Sequence, residues 1–195
     1  MDICNEIEGF QLDREDIVLL LVEANERLFG RSAFSGITRL EKLIFLLQKE
    51  TDFRKVGELY EFKPHNFGPF SKEVYEAVDF LESCDLIETR ERTYASYYAN
   101  KEESQLLEEL NEGESLESVV GDDAAVVEKV FSLTAAGRTV AIRLRQLIEG
   151  LSRNSTQQID SLVVRYGNLP LSQLIRYVYR RYPETTVKSI HPEAQ

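Results

Sequence analysis

Apolar residues recur at helical spacing in six stretches of this chain. Ile17, Leu20, Leu21, Ala24 and Leu28 stand three and four residues apart, the period of a helix with one buried face. Asp13 precedes them as an N-cap, Asp16 lies near the positive end of the helix dipole, and Gly30 stops the run. Leu40, Leu43, Ile44 and Leu47 form a second stripe. Thr38-Arg39-Leu40-Glu41 reads as its capping box, with the threonine oxygen and the glutamate each taking a free amide. Residues 52–70 lose the period and read as an extended segment with a turn at Gly68-Pro69. Ser71 then caps a third helix that carries Val74, Ala77, Val78 and Leu81 on one face.

The pattern changes after this helix. Leu86 to Arg92 reads as a short strand, and Thr93 to Ala99 as its hairpin partner. Val130-Phe131-Ser132-Leu133 reads as a returning strand, with Thr134 capping the next helix. That helix carries Val140, Ala141, Leu144, Leu147, Ile148 and Leu151 as its stripe. Ser155-Thr156-Gln157-Gln158 is a further capping-box pattern, followed by Ile159, Leu162, Val163 and Tyr166 and a stop at Gly167. Pro170 suits the first turn of a last helix with Leu171, Leu174, Ile175 and Val178 inward, ended by Pro183.

Composition adds what the periodicity leaves out. With 195 residues and 43% hydrophobic positions, the chain should bury roughly 70% of its unfolded surface without metal or disulfide. Cys4 and Cys84 form no spacing motif, and Cys84 reads as a small buried thiol. Met1 to Gly9 does not resemble a signal peptide, and Ile17 to Val22 is far too short to span a bilayer. The expectation is a cytoplasmic protein with no membrane contact.

The net charge of −11 is unevenly spread. Residues 1–128 hold 13 Lys/Arg against 30 Asp/Glu, a balance of −17, whereas residues 129–195 hold 10 against 4, a balance of +6. Between Glu102 and Glu128 there are ten acids and no Lys or Arg, which reads as an acidic insertion over 101–128. The third helix is acidic as well: over residues 71–85 Lys72 stands against Glu73, Glu76, Asp79, Glu82 and Asp85.

Three helices, a strand, a long excursion, a returning strand and another helix follow the order of a winged helix. Phe131-Ser132-Leu133-Thr134-Ala135-Ala136-Gly137-Arg138 resembles the second wing strand and helix start of many such proteins, its glycine permitting close packing. A longer likeness lies in Thr38-Arg39-Leu40-Glu41-Lys42-Leu43-Ile44-Phe45 and Phe62-Lys63-Pro64-His65-Asn66-Phe67-Gly68-Pro69-Phe70-Ser71-Lys72-Glu73-Val74. These residues resemble the YwgA-like group of small prokaryotic proteins and, more distantly, the Panacea-domain antitoxins of the SocA type. The shared features are a Leu-x-Lys-Leu helix and an aromatic-Gly-Pro turn, here His65, Phe67, Gly68, Pro69 and Ser71. The acidic insertion and extended tail depart from the compact Panacea pattern. The expected fold is mostly α with a small β-wing. It comprises a winged-helix-like domain over 10–152, with the insertion inside the wing, and a C-terminal helical extension over 153–195.

The resemblance implies a module that binds proteins, antitoxin-like or defence-associated, rather than an enzyme. A DNA-reading winged helix lowers its third helix into the major groove, where Lys and Arg supply affinity by releasing counterions. Four net negative charges on that helix would cost affinity. Glu76, Asp79 and Glu82 are therefore expected to meet a basic or apolar protein partner.

The basic surface is the last helix. Arg176 and Arg180 share a face, and Tyr177 and Arg181 repeat the spacing beside it, with Arg165 and Lys188 extending the region. Such a face can bind phosphates, stack on bases, clamp a partner's carboxylates, close a homodimer or pair with the chain's own acids. DNA-binding regulation through this helix is the alternative function.

Enzymatic signals are thin. The only histidines are His65 and His191, and there is no Cys/His cluster with metal spacing, glycine-rich phosphate loop or nucleophile elbow. His65 beside Ser71 reads better as a turn histidine next to a capping serine than as a base and nucleophile. No cofactor is expected.

Overall fold

The computed structural model describes residues 12–30, 34–53, 57–65, 68–95 and 125–185. The fold is mostly helical with a small antiparallel sheet. Cys4, Phe67, Lys188, His191 and the acidic segment up to residue 124 lie outside the described residues.

The first helix, α1 (Arg14–Leu28), occupies the centre. Its N-terminus is closed reciprocally: Asp13 accepts from the Asp16 amide at 2.9 Å, and the Asp13 amide donates back to Asp16 at 3.1 Å. The periodicity suggested one buried stripe, yet every residue from Ile17 to Glu26 is buried. The continuous run Ile17–Val22 explains this, since a helix apolar all round must be covered on all sides.

The short strand β1 (Phe34–Ser35) leads into α2 (Ile37–Glu50). Here the capping-box expectation fails. The N-cap is Gly36, with a φ of 77° and no side-chain cap, and Thr38 lies inside the helix. Glu41 points across the molecule instead of back along its own turn.

A two-stranded ribbon of β2 (Lys63–His65) and β3 (Gly68–Phe70) precedes α3 (Lys72–Ser83). Ser71 is the N-cap residue, but its hydroxyl donates to the Glu73 carboxylate rather than capping a backbone amide. Cys84 is exposed rather than buried, because it follows the last helical residue and lies off the Val74, Ala77, Val78, Leu81 stripe.

The two long strands β4 (Ile87–Ala95) and β5 (Ala125–Leu133) pair antiparallel from Ile87 with Leu133 to Ala95 with Ala125. Thr93 to Ala95 therefore extend β4 instead of forming its partner. The run rich in Thr and Tyr has strand propensity but no turn residues before it to reverse the chain. On its other edge β5 pairs with β1, giving the sheet order β1-β5-β4.

Thr134 caps α4 (Ala135–Leu151), accepting from the Gly137 amide at 2.9 Å. Gly137 lies so close to the residue preceding β4 that a Cβ there would fall 1.7 Å from the Leu86 carbonyl oxygen. The expected stripe of this helix is too broad. Ala141, Leu144 and Ile148 are buried, but Val140 and Leu147 are 41% and 46% exposed. Helix α4 meets the core only along a narrow seam against α1 and the helix that follows.

That helix, α5 (Arg153–Tyr166), starts two residues before the predicted cap. Its N-cap is Ser152, and Ser155 and Thr156 are buried within it, so the second capping-box reading also fails. The last helix, α6 (Leu171–Arg181), buries Leu171, Leu174, Ile175 and Val178 as the spacing predicts. Among the described residues, all six α-helices contribute to one hydrophobic cluster.

A belt of ion pairs ties α4 and α5 to α1. Glu26 accepts from the Leu133 amide at 2.7 Å and from both donor arms of Arg138 at 2.7 and 3.2 Å. Arg145 bridges Glu23 at 3.3 Å and Asp160 at 2.6 Å, and Arg27 binds the same two carboxylates. Buried carboxylates need such partners, because an unpaired charge in a low dielectric is strongly destabilising.

Candidate functional site

The residues behind the family resemblance form a junction at the heart of the fold. Arg39 donates to the carbonyls of Gly167 and Leu169, at 3.1 and 2.5 Å, holding the loop between α5 and α6. Glu41 accepts from the Ser71 amide at 3.1 Å and so fixes the start of α3. Lys42, only 1% exposed, donates to the Pro69 carbonyl at 3.0 Å and to Glu41 at 3.4 Å. Burial lowers the Lys42 ammonium from its usual range, with Glu41 opposing the shift.

Gly68 is required at this junction. Its φ is 92°, and a Cβ would sit 2.9 Å from the Tyr179 ring. His65 is exposed, with its ring 5.0 Å from that of Phe70. The motif thus reads, in three dimensions, as the joint that orients α3 and α6, with Lys63, His65 and Lys72 at its surface.

On α3 itself, Glu76, Asp79 and Glu82 are exposed, opposite the buried stripe. Glu76 binds Lys72 at 2.7 Å and lies 3.5 Å from Arg14. Asp79 and Glu82 form no ion pair among the described residues. Phe80, one turn beyond Glu76, is 53% exposed. The outer face of α3 is therefore a phenyl ring set among carboxylates.

The second surface runs along α6. Arg180 and Arg181 are exposed and form no ion pair with a carboxylate among the described residues. With Gln173, Arg176 and Tyr177 they line a depression of about 400 Å3. Arg165 of α5 lies 5.0 Å above the Tyr166 ring and 5.9 Å from that of Tyr177, and Arg181 lies 5.9 Å from the Tyr182 ring.

Beside these rings stands an exposed residue that sequence reasoning missed. Glu50 ends α2, where the helix dipole disfavours a carboxylate. Three tyrosine hydroxyls compensate: Tyr177 and Tyr182 donate to Oε1 at 2.5 and 3.2 Å, and Tyr166 to Oε2 at 2.9 Å. Burial first, and then the neighbouring carboxylate, pushes the Tyr182 hydroxyl up to about 12. Tyr166 and Tyr177 are raised by burial too, with Glu50 adding to the shift. A groove of about 300 Å3 opens beside Glu50, lined by Asn154, Gln158, Arg165 and Tyr166 among others. Glu50 stands at a single helix end, and only the crossing of α2, α5 and α6 brings the tyrosines to it.

Among the described residues no three His, Cys, Asp or Glu side chains gather as a metal site would need. No helix among them is long and apolar enough to cross a membrane. No family model matches the sequence, and no curated protein matches it.

Proposed function

We propose that this chain is a binding module on a winged-helix scaffold, acting through protein–protein contacts at the outer face of α3. The observation that carries the reading is the exposed Phe80 set among the outward carboxylates of Glu76, Asp79 and Glu82. A phenyl ring that fills a pocket, rimmed by charges that choose the partner, is the usual anatomy of a protein contact.

The scaffold assignment is supported by the order helix, short strand, helix, two-stranded ribbon, helix and two long strands, with β1 pairing on the other edge of β5. The likeness of residues 38–45 and 62–74 to YwgA-like and Panacea proteins supports the class of function. In a winged helix α3 is the element that enters the DNA groove, and its carboxylates oppose that use.

Pull-down of the tagged chain from its native host should recover a stoichiometric protein. E76K/D79K/E82K should abolish the capture while leaving the melting temperature unchanged. Full retention of the captured protein by that variant overturns the reading.

A further inference from the structure

The acidic face of α3 and the basic face of α6 are complementary in sign, length and shape. Glu76 to Glu82 covers about 9 Å of helix and Arg176 to Arg181 about 7.5 Å, from the rise per residue. No ion pair joins the two faces within the chain among the described residues. Phe80 stands proud on one face, and the other holds an open depression floored by Tyr177 and guanidinium groups. An aromatic ring is suited to such a floor, because guanidinium groups stack on its face.

We propose that α3 of one copy of this chain docks on α6 of a second copy. Phe80 enters the depression lined by Gln173, Arg176, Tyr177, Arg180 and Arg181, and Glu76, Asp79 and Glu82 meet the arginines. This rests on the reading of α3 as a protein-binding face and names the partner it meets.

Charge balance favours a second copy docked in this way. The chain carries −11 overall, so two copies repel unless they meet where the sign reverses, and α6 is such a place. At physiological ionic strength the screening length of about 8 Å leaves short-range pairs intact while damping the remaining repulsion. The contact joins two different faces, so a pair of copies keeps one α3, on one copy, and one α6, on the other, available. Head-to-tail association of this kind continues past a dimer into a ring or an open chain.

Sedimentation velocity on the full chain tests the proposal. The sedimenting mass should rise with concentration beyond that of a dimer and fall back to monomer in 1 M salt, where the screening length is about 3 Å. Removing the charges of one face, as E76Q/D79N/E82Q or as R180Q/R181Q, should weaken association by roughly tenfold or more, as expected for two or three exposed pairs. F80S should weaken it as well. An equimolar mixture of the two charge variants retains one intact pairing and should stop at a 1:1 complex.

A wild-type chain that stays monomeric at every concentration overturns the inference. So does a closed dimer whose two charge variants fail to complement each other, or a monomer whose Arg180 and Arg181 bind duplex DNA with steep salt dependence. The protein-contact reading fails separately: it falls only if the protein captured from the host survives E76K/D79K/E82K.

Discussion

Along α4, Arg138 and Arg145 stand seven residues apart and each meets a carboxylate of α1, at 2.7 and 3.3 Å. Along α6, Arg176 and Arg180 stand four apart, and Arg180, like its neighbour Arg181, faces solvent without a carboxylate among the described residues. The residue type and the helical setting are the same; the neighbour differs. Helix α1 is enclosed on all sides, so its Glu23 and Glu26 had to be matched within the fold. Helix α6 covers the core with one face only. The acid beside it, Glu50, is exposed and already held by three hydroxyls. The charges of Arg138 and Arg145 are committed to holding the helices together, and those of Arg180 and Arg181 are left for something outside the chain.

The sharpest way to break this comparison is to unpair the first region. Glu26→Ala strips Arg138 of its carboxylate and leaves the buried Leu133 amide without an acceptor. Loss of one partner of a largely buried pair should cost about 3–5 kcal/mol, read as a lower denaturation midpoint at constant slope. A cost below about 1 kcal/mol would put Arg138 in the same class as the arginines of α6.

The comparison also marks how far the sequence could be read. The apolar stripes of α2, α3, α5 and α6, the Asp13 and Thr134 caps and the need for Gly137 were all legible, because each depends on spacing within a few residues. Both failed capping boxes involve residues that serve distant partners. Glu41 reaches Ser71, 30 residues away, and Gln158 donates to Asp52, 106 residues away. Capping patterns assume that a side chain serves its own turn, and burial overrides that assumption. The α6 arginines were visible as a pattern, while the clamp on Glu50 was not, since Tyr166, Tyr177 and Tyr182 converge on it only after α2, α5 and α6 cross. Val140 and Leu147 erred the other way: helical spacing shows that a face is apolar but not how wide a neighbour covers it.

An intermediate effect sharpens the division at Glu50 itself. Tyr182 is held up to about 12 by burial and the Glu50 carboxylate. A hydroxyl raised above the ordinary tyrosine value of about 10 stabilises the fold fully below that pH, and its contribution is lost as pH rises from there through 12. Carbon-13 NMR of ring-labelled tyrosines should place the Tyr182 midpoint near 12 and show it falling in Glu50→Gln. The same variant should cost about 1–3 kcal/mol at neutral pH, because hydrogen bonds to a charged acceptor weaken. An unmoved midpoint would mean that burial alone shifts the tyrosine and that Glu50 does not organise the face.

The smallest expected effect is the most discriminating. Arg180 and Arg181 are exposed, so R180Q/R181Q should change stability by no more than about 0.5 kcal/mol. On a chain of net charge −11, removing two cations could itself destabilise through added repulsion, and salt separates the two causes. Long-range repulsion is screened within about a Debye length, so any loss from that source should vanish between low salt and 0.15 M. A loss above about 1 kcal/mol that persists at 0.15 M would show that these arginines, like those of α4, hold the fold together. The distinction between committed and uncommitted charge would then disappear.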